Sequence, residues 1–240
     1  MIPPPIIWWS HYLFDVLAWA SAWQVGKWQY RRWPREVEAL APLTPPSYFV
    51  TLALGAVAGA WLLGSANSLN SVISAPSHSV AGALAGGIVA VEIWKAVKGV
   101  RGSTGKFFAL PIATGIAVGR LGCFFSGILD FTYGIPTNVP WAVDFGDGMG
   151  RHPVQLYEAL TMAGFAIVLA RSRAAGARWA NEHAFHALVL VYAGQRFLWE
   201  FLKPYPTVLG PLNIFHLLML GLAAYAIIWW RRDEPASALR

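Results

Sequence analysis

The residues best suited to chemistry lie in one stretch of the chain, 119–158. It begins with Gly119-Arg120-Leu121-Gly122 near the end of an apolar run, and a loop with three aspartates follows. The segment 151–158 then brings an arginine, a histidine, a glutamine, a tyrosine and a glutamate together. Ionisable groups inside apolar runs are costly and usually functional, so this stretch is the candidate site.

Arg196 and Glu200 are four residues apart and therefore share one face of a helix. One interpretation is a self-neutralising pair that faces the interior of a helix bundle. The other is an anion site for a lipid phosphate, in which Glu200 orients the guanidinium. Arginine suits phosphate because its planar fork donates two parallel hydrogen bonds.

Arg120 also allows two interpretations. A long basic side chain near a helix end can extend to the lipid headgroups. Small residues surround it, however, and they leave the backbone accessible to a ligand or to another helix: Gly119, Gly122, Ser126 and Gly127. We therefore expect close approach of a partner at Arg120.

A further helix is predicted to begin at Pro153, because proline suits the first helical turn. Arg151 or His152 lies near its cap, and Gln155 and Glu158 share one face. Helix N-termini favour anions, so a phosphate is one predicted occupant. A capping arrangement with a buried polar network is the alternative.

The candidate general bases are one histidine and the aspartates of the loop. His152 has a side chain that titrates near neutrality, although a lone loop histidine is more often structural. Asp130 is the second candidate. The spacing of Asp144 and Asp147 resembles a cation site weakly, and their glycine neighbours favour a turn.

His11, Asp15 and Cys123 are reactive groups outside these motifs. His11 and Asp15 are one helical turn apart, and the pair either orients the imidazole or is a structural hydrogen bond. Cys123 is interpreted as a small buried residue rather than a nucleophile, because the sequence pairs it with no basic group. As the single cysteine, it excludes an internal disulfide and a Cys-based metal site.

The composition indicates where these residues act. Of 240 residues, 56% are hydrophobic and only 12% are charged, whereas soluble chains carry roughly 25% charged residues. A spanning helix needs about 20 mostly apolar residues. Seven segments are candidates, namely 7–27, 47–65, 79–97, 107–128, 153–171, 183–202 and 211–230. The N-terminus has no basic region or cleavage motif, so a removable signal peptide is not expected.

The basic residues predict the orientation. Most of the 18 lysines and arginines follow alternate segments, and basic residues accumulate on the cytoplasmic side. The prediction is an all-α integral membrane protein with about seven transmembrane helices, its N-terminus outside and its C-terminus cytoplasmic. Residues 1–240 form one transmembrane domain, in which residues 129–152 are an outer, periplasmic head loop. The net charge of +6 follows from this asymmetry and predicts no nucleic-acid partner.

Three motifs resemble those of the prolipoprotein diacylglyceryl transferase family. They are Gly119-Arg120-Leu121-Gly122-x-Phe124, the segment 151–158 and Arg196-Phe197-x-x-Glu200-Phe201. The resemblance is strong over residues 107–204 and faint over the start of the chain. Family members are proteins of the bacterial inner membrane. They move a diacylglyceryl group from phosphatidylglycerol to the thiol of a lipobox cysteine and release glycerol phosphate.

The resemblance implies a central lipid cavity and roles for individual residues. Arg120 and Arg196 are implied phosphate or headgroup ligands, with Glu200 as their partner, and His152 or Asp130 is the candidate base. The predicted substrate-binding residues are Tyr12, Gly122, Ser126, Gly127, Gly134, Arg151, Gln155, Tyr157 and Glu158. No cofactor and no metal ion are expected.

The chain departs from the family pattern at several positions. Ala81-Gly82-Ala83-Leu84 stands in place of His-Gly-Gly-Leu, and Cys123 and Ser126 stand in place of two asparagines. An acidic residue of the family is lost or is displaced to Asp130. The histidines that could supply the missing imidazole are His11, His78 and His152.

The sequence thus predicts a transferase of the bacterial inner membrane. Its donor is phosphatidylglycerol or a related glycerophospholipid, and its acceptor is the cysteine of a lipoprotein precursor or another nucleophile. The alternative is a non-catalytic lipid-binding protein that keeps the arginines and has lost the acid–base residues. A transporter is disfavoured because no internal repeat is visible.

Overall fold

The computed structural model of the chain describes residues 7, 9–68, 77–232 and 237–238. Its helices in these ranges are α1 (Ser10–Arg32), α2 (Pro34–Leu40), α3 (Pro46–Ser68), α4 (Val80–Lys98), α5 (Ala109–Phe125), α6 (Val154–Ala174), α7 (Arg178–Glu182), α8 (Ala184–Glu200) and α9 (Ile214–Arg232). The short strands are β1 (Val100–Arg101), β2 (Val143–Asp144), β3 (Gly150–Arg151) and β4 (Ser237–Ala238). Strand β1 pairs with β4 and β2 with β3, both antiparallel.

The seven long helices overlap the seven predicted apolar segments. In the described part of the chain, α3, α4, α6 and α9 are long and apolar enough to cross a membrane. Helix α5 is apolar but has 17 residues, and α8 also has 17. The fold is therefore that of an all-α membrane protein, whereas the count of seven spans stays a prediction. The short helices α2 and α7 were not predicted.

Helices α3 and α4 pack along a seam of glycines. Gly55 and Gly59 of α3 lie against Gly82 and Gly86 of α4, and a Cβ atom at Gly59 would overlap the carbonyl oxygen of Gly82. Small residues four apart let two helix backbones meet, which favours helix association in lipid. Gly82 belongs to the segment that stands in place of the family's His-Gly-Gly-Leu, and here it serves helix packing.

Helix α1 lies close to the end of α5. A Cβ atom at Gly122 would lie 2.6 Å from the Cβ of Phe14, and the hydroxyl groups of Ser10 and Ser126 are 3.1 Å apart. The hydroxyl of Ser126 also donates to the carbonyl oxygen of Gly122 at 2.9 Å. The partner that approaches this glycine is therefore a helix, which was one of the two predicted interpretations.

The core between the helices consists largely of small side chains. Ala109, Ala113, Ala184 and Ala226 are fully buried, and pairs of helices pack closely in the order α1–α5, α5–α6, α6–α8 and α8–α9. Close approach maximises van der Waals contact, which is a main source of stability where lipid surrounds the protein. These pairings bring the C-terminal ends of α5 and α8 beside the N-terminal ends of α1, α6 and α9.

The opposite ends of the helices are basic. The last turns of α1, α4, α6 and α9 contain the lysines and arginines that predicted the orientation. Arg173 at the end of α6 contacts Glu36 at 2.6 Å and donates to Gln29 of α1 at 3.2 Å. Near the end of α4, the hydroxyl of Tyr225 from α9 donates to Glu92 at 2.9 Å. The basic ends therefore gather on one side of the bundle.

The head loop between α5 and α6 is held by a tight turn between β2 and β3. One carboxylate oxygen of Asp144 accepts the backbone N–H groups of Gly146, Asp147 and Gly148 at 2.8, 3.1 and 3.0 Å. This geometry confirms the turn that the glycines favoured. Helix α5 ends at Phe125, three residues before the predicted end of its segment, because Gly127 has a left-handed backbone with φ of 65°.

Candidate functional site

Five charged side chains lie buried where the C-terminal ends of α5 and α8 meet the N-terminal end of α6. We call Arg120, Glu158, Arg196, Glu200 and Lys203 the ionic cluster; all five are buried. Charges are rarely buried in a protein unless they are paired or used. Helix α6 packs antiparallel to both α5 and α8, which explains why residues far apart in sequence converge here.

Glu158 is the centre of the ionic cluster and keeps only 1% of its surface exposed. Its Oε1 atom accepts hydrogen bonds from Arg196 Nη1 at 2.5 Å and from Lys203 Nζ at 2.8 Å. Its Oε2 atom lies 2.5 Å from Arg120 Nε. This last contact is close in distance but is not aligned as a hydrogen bond, so we describe it as an ion pair.

Glu200 pairs with Arg196 on the helix face that their spacing predicted they share. Arg196 Nε lies 3.0 Å from Glu200 Oε2. The side-chain amide of Asn213, which precedes α9, donates to the other oxygen of Glu200 at 3.0 Å. The guanidinium carbon of Arg196 also lies 5.2 Å from the ring centre of Phe215. Arg196 is thus held from three sides in a fixed orientation.

The ionic cluster contains three cationic and two anionic side chains. Two arginines and Lys203 each contact at least one of the two carboxylates, and the five groups together carry a net charge of +1. Burial, and then the neighbouring Arg196, lowers the pKa of Lys203 to about 8. Lys203 is therefore still mostly protonated at neutral pH. A buried excess of positive charge is stabilised by an anion.

Three buried polar side chains near the ionic cluster lack hydrogen-bond partners among the described residues. Both amide atoms of Gln155 are buried in this way, and the same holds for Gln195 and for the hydroxyl of Tyr192. Gln155 lies one turn before Glu158, and Tyr192 lies one turn before Arg196. Because buried polar groups are normally hydrogen-bonded, these atoms point to a ligand with donors and acceptors.

A second group of reactive side chains lies beside the ionic cluster. We call His11, Cys123 and Asp130 the His11 cluster; one ligand atom of each lies within 4.8 Å of the others. His11 Nε2 is 3.1 Å from Asp130 Oδ1, and its Nδ1 is 3.2 Å from Asp15 Oδ2. Arg120 Nη1 donates to Cys123 Sγ at 3.8 Å. Cys123 is buried, as predicted, and Arg120 is a basic neighbour that the sequence did not reveal.

The three candidate histidines occupy different surroundings. His11 lies in the cluster just described, and His78 is exposed with its ring centre 6.5 Å from that of His11. His152 lies in the head loop, where its Nδ1 is 3.3 Å from the hydroxyl of Tyr157. That hydroxyl accepts from Trp141 Nε1 at 2.7 Å. His152 and Tyr157 thus belong to an aromatic group where the head loop meets the start of α6, and their predicted roles stay predictions.

Other predicted binding residues have structural contacts. Arg151 donates to Asp147 Oδ2 from Nη2 at 2.6 Å and to the carbonyl oxygen of Gly134 at 3.3 Å, which ties the head loop together. The backbone N–H of Gly134 also donates to the backbone carbonyl oxygen of His152 at 3.0 Å. Tyr12 is 72% exposed, so the structure does not bury it with the ionic cluster. Substrate binding by these residues stays a prediction.

Lys203 and Asn213 are members of the site that sequence reasoning missed. Lys203 lies just beyond the predicted segment 183–202. It lies three residues after Glu200 and seven after Arg196, so it continues the face that those two residues share. That spacing was a usable signal. Asn213 carried no comparable pattern, because its contact with Glu200 depends on how the chain returns into α9.

The comparisons with known proteins agree with the three motifs. A phosphatidylglycerol–prolipoprotein diacylglyceryl transferase of Bordetella parapertussis is 40% identical over 126 residues, which are 49% of this chain and 42% of the relative. A protein of the same name from Geobacter sulfurreducens is 36% identical over 143 residues, 53% of this chain and 51% of the relative. A third, from Cupriavidus metallidurans, is 34% identical over 145 residues, which are 55% of this chain and 52% of the relative.

These matches span about half the length of the curated relatives. No solved structure matches the chain. The sequence profile described as prolipoprotein diacylglyceryl transferase, however, covers residues 2–231. The chain therefore belongs to the prolipoprotein diacylglyceryl transferase family.

Proposed function

We propose that the protein transfers a diacylglyceryl group from phosphatidylglycerol to the thiol of a lipoprotein precursor. The observation that carries this proposal is the ionic cluster, in which Arg120 and Arg196 meet with an excess of buried positive charge. A phosphate diester supplies the missing negative charge. The names of the relatives state both substrates for those proteins, and family membership supports the same pair here.

The phosphate would lie against the two guanidinium groups. Each guanidinium has five N–H donors, and its contact with Glu158 engages one nitrogen of Arg120 and one of Arg196. Both arginines can therefore hold Glu158 and a phosphate at the same time. Glu158 and Glu200 fix the orientation of the guanidinium groups before the lipid binds, so little reorganisation is needed when charge develops.

The transfer step breaks one bond and forms one. The sulfur of the acceptor forms a bond to the terminal glyceryl carbon, and the bond from that carbon to the phosphate oxygen breaks. Glycerol phosphate leaves with the electron pair, and the guanidinium groups stabilise its negative charge. The base that takes the thiol proton stays a prediction, with Asp130 and His152 as candidates. Asp130 is linked to Arg120 through His11 and Cys123.

An apolar groove beside the ionic cluster offers room for part of an acyl chain. It has a volume of about 370 Å³ and lies between α8 and α9, lined by residues such as Gly194, Phe197, Met219 and Ala223. An acyl chain of the donor would lie in this groove, against the apolar side chains that line it.

We further propose that the protein spans the bacterial inner membrane seven times, with the ionic cluster in the periplasmic half. The gathered basic ends support this orientation, since basic residues accumulate on the cytoplasmic side. The head loop, residues 129–152, then covers the site from the periplasm. Four sufficiently apolar helices support membrane insertion, and the remaining three gain support from the continuous packing of the bundle.

A transfer assay tests the proposal. Purified protein is supplied with labelled phosphatidylglycerol and a lipobox peptide, and both the lipidated peptide and released glycerol phosphate are measured. We expect both products from the natural chain and neither from Arg120→Ala. Arg178→Ala is the matched control, because Arg178 is exposed and pairs only with Glu182 on its own short helix within the described contacts; it should retain activity.

The assay also separates the proposal from the alternative of lipid binding without catalysis. If the natural chain forms neither product, the transferase proposal fails. If phospholipid nonetheless co-purifies and Arg120→Ala reduces the bound amount, the protein is a lipid-binding relative of the enzyme.

A further inference from the structure

We propose that the His11 cluster binds one divalent metal ion of the zinc class. Its three side chains come from α1, from the end of α5 and from the 3-10 turn that follows, Gly127–Asp130. Imidazole, thiolate and carboxylate are the three side-chain ligands that zinc prefers. The cluster is distinct from the ionic cluster, although Arg120 touches both.

The distances in the His11 cluster fit a tetrahedral ion. Zinc lies about 2.0–2.3 Å from such ligands, so two nitrogen or oxygen ligands of one ion are about 3.3 Å apart. His11 Nε2 and Asp130 Oδ1 are separated by 3.1 Å. All three ligand atoms lie within 4.8 Å of one another, and small rotations of the side chains bring the sulfur into range.

The surroundings of the cluster are those of a supported metal site. A histidine that binds a metal usually donates its second ring N–H to a carboxylate, which fixes the tautomer. His11 has this arrangement, because its Nδ1 lies 3.2 Å from Asp15 Oδ2 while Nε2 faces Asp130. Asp130 is itself held by the hydroxyl of Thr132. The second contact sphere is thus in place for two of the three ligands.

Charge balance also favours a divalent cation. A thiolate at Cys123 and the carboxylate of Asp130 contribute two negative charges, which one divalent ion neutralises. The guanidinium of Arg120 donates from Nη1 to the sulfur of Cys123 at 3.8 Å. Arg120 itself is neutralised by Glu158 at 2.5 Å, which reduces its repulsion of a nearby cation.

The sequence predicted no Cys-based metal site, because Cys123 is the single cysteine. One thiolate can share an ion with an imidazole and a carboxylate, so the proposed site needs no second cysteine. Cys123 stands where the family pattern has an asparagine, and Asp130 stands beyond the position of the family's acidic residue. The proposed site is therefore built from the positions at which this chain departs from the pattern.

The ion would leave one coordination position open. Three protein ligands and one open position are typical of catalytic zinc sites, and His11 keeps about a third of its side chain exposed at 32%. This part of the inference rests on the proposed transferase function: an ion held by His11, Cys123 and Asp130 would favour the thiolate form of an acceptor thiol at its open position, with the thiol proton passing to solvent. The thiolate would then form the sulfur–carbon bond as the bond from that carbon to the leaving glycerol phosphate breaks. Asp130 is in that case a ligand rather than the base.

A metal titration tests the inference without requiring activity. The full chain, purified in detergent and stripped with a chelator, is titrated with cobalt(II) and with zinc. We expect one cobalt ion per chain and a sulfur-to-cobalt charge-transfer band that zinc removes. Cys123→Ser should abolish the band, and Asp15→Asn should weaken binding about 10- to 100-fold through the orientation of His11. Glu182→Gln, which removes an exposed carboxylate away from the cluster, should bind as the natural chain does.

Several outcomes would overturn the inference. If the stripped natural chain takes up no cobalt, or if Cys123→Ser binds it unchanged, the cluster is a hydrogen-bonded ion pair and not a metal site. The helical circular dichroism of each variant must match that of the natural chain, and His11→Gln provides a second ligand variant if Cys123→Ser fails to fold. Transfer that persists in the stripped chain would reject the catalytic role of the ion and leave the transferase proposal intact.

Discussion

Both ends of α6 hold buried arginine–carboxylate ion pairs, but the two ends differ in their balance of charge. At its C-terminal end, Arg173 contacts one carboxylate, Glu36, and its guanidinium lies 4.5 Å from the ring centre of Trp33. At its N-terminal end, about 22 Å away along the helix, Glu158 faces three cations. The buried arginine at the first end is matched by one carboxylate, whereas the buried cluster at the second end retains an excess of positive charge.

This difference separates a structural ion pair from a candidate site. A balanced pair needs no further ligand, and its role is to fasten α6 to α1 and α2. The ionic cluster, by contrast, combines the unbalanced charge with Gln155, whose buried amide atoms lack partners among the described residues. The predictions below test whether charge balance, rather than burial, marks the functional end of α6.

Glu158→Gln should have the largest effect on stability. It leaves three buried cations around an uncharged amide, and removing one partner of a buried ion pair costs about 3–5 kcal/mol. Glu36→Gln should lower the free energy of unfolding less, because Glu36 is partly exposed and Gln29 still contacts Arg173. Unfolding of both variants in detergent, followed by circular dichroism, provides the comparison. Equal losses would mean that the two ends are equivalent structural pairs.

Arg196→Lys should reduce transfer about 100- to 1,000-fold, which is typical for the loss of a positioned donor at a developing negative charge. Lysine keeps the charge but lacks the planar fork that contacts both Glu158 and Glu200. The matched change at the other end of α6, Arg173→Lys, should leave turnover close to that of the natural chain. Initial rates with labelled phosphatidylglycerol measure both. Comparable rate losses would contradict the division between the two ends.

Lys203 should produce a smaller, pH-dependent effect. Burial lowers its pKa to about 8, so affinity for a phosphate lipid should decline a few-fold as the pH rises through 8. The unfolded chain keeps its lysine protonated up to an ordinary pKa of 10.5, so the unfolding free energy should rise over the same interval. Lipid binding measured from pH 7 to 9 tests the first effect. Lys203→Met should remove this pH dependence; if it remains, another group causes it.

Asp147→Asn should have the smallest effect. The hydrogen bond from Arg151 holds the pKa of the Asp147 carboxyl below its ordinary value. Partly exposed ion pairs of this kind contribute about 0.2–1 kcal/mol. The head loop should therefore loosen slightly, and transfer should change little. Limited proteolysis of residues 129–152 and the transfer assay measure the two effects, and a large loss of activity would show that Arg151 acts on substrate rather than on the loop.

The ionic cluster was largely predictable from the sequence. Arg120, Arg196, Glu200 and Glu158 are charged residues in apolar segments, and such residues must find one another in a low-dielectric interior. The family profile also confirms the resemblance that their motifs indicated. The spacing of Arg196 and Glu200 placed both on one helix face. Arg120 and Glu158 lie at the end of α5 and the start of α6, which follow each other in the chain.

The His11 cluster was not predictable by the same reasoning. His11 and Cys123 meet because α1 packs against α5, and no periodic pattern specifies which two distant helices become neighbours. The seam at Gly122 was visible as small residues, but small residues serve a ligand and a helix equally well. Only the position of Phe14 against Gly122 decides between them. The short helices α2 and α7 were not predicted for a different reason. A helix of five to seven residues is too short to show a clear 3.6-residue hydrophobic period.

The backbone contact between Gly59 and Gly82 affects where a lipid can enter the bundle. Two helices that touch through their main chains leave no crevice for a hydrocarbon tail along the described contact of Gly59 with Gly82. An apolar groove lies between α8 and α9 instead, lined by Phe197 and Met219 among others. We therefore expect a donor lipid to reach the site from the surrounding membrane between α8 and α9 rather than between α3 and α4.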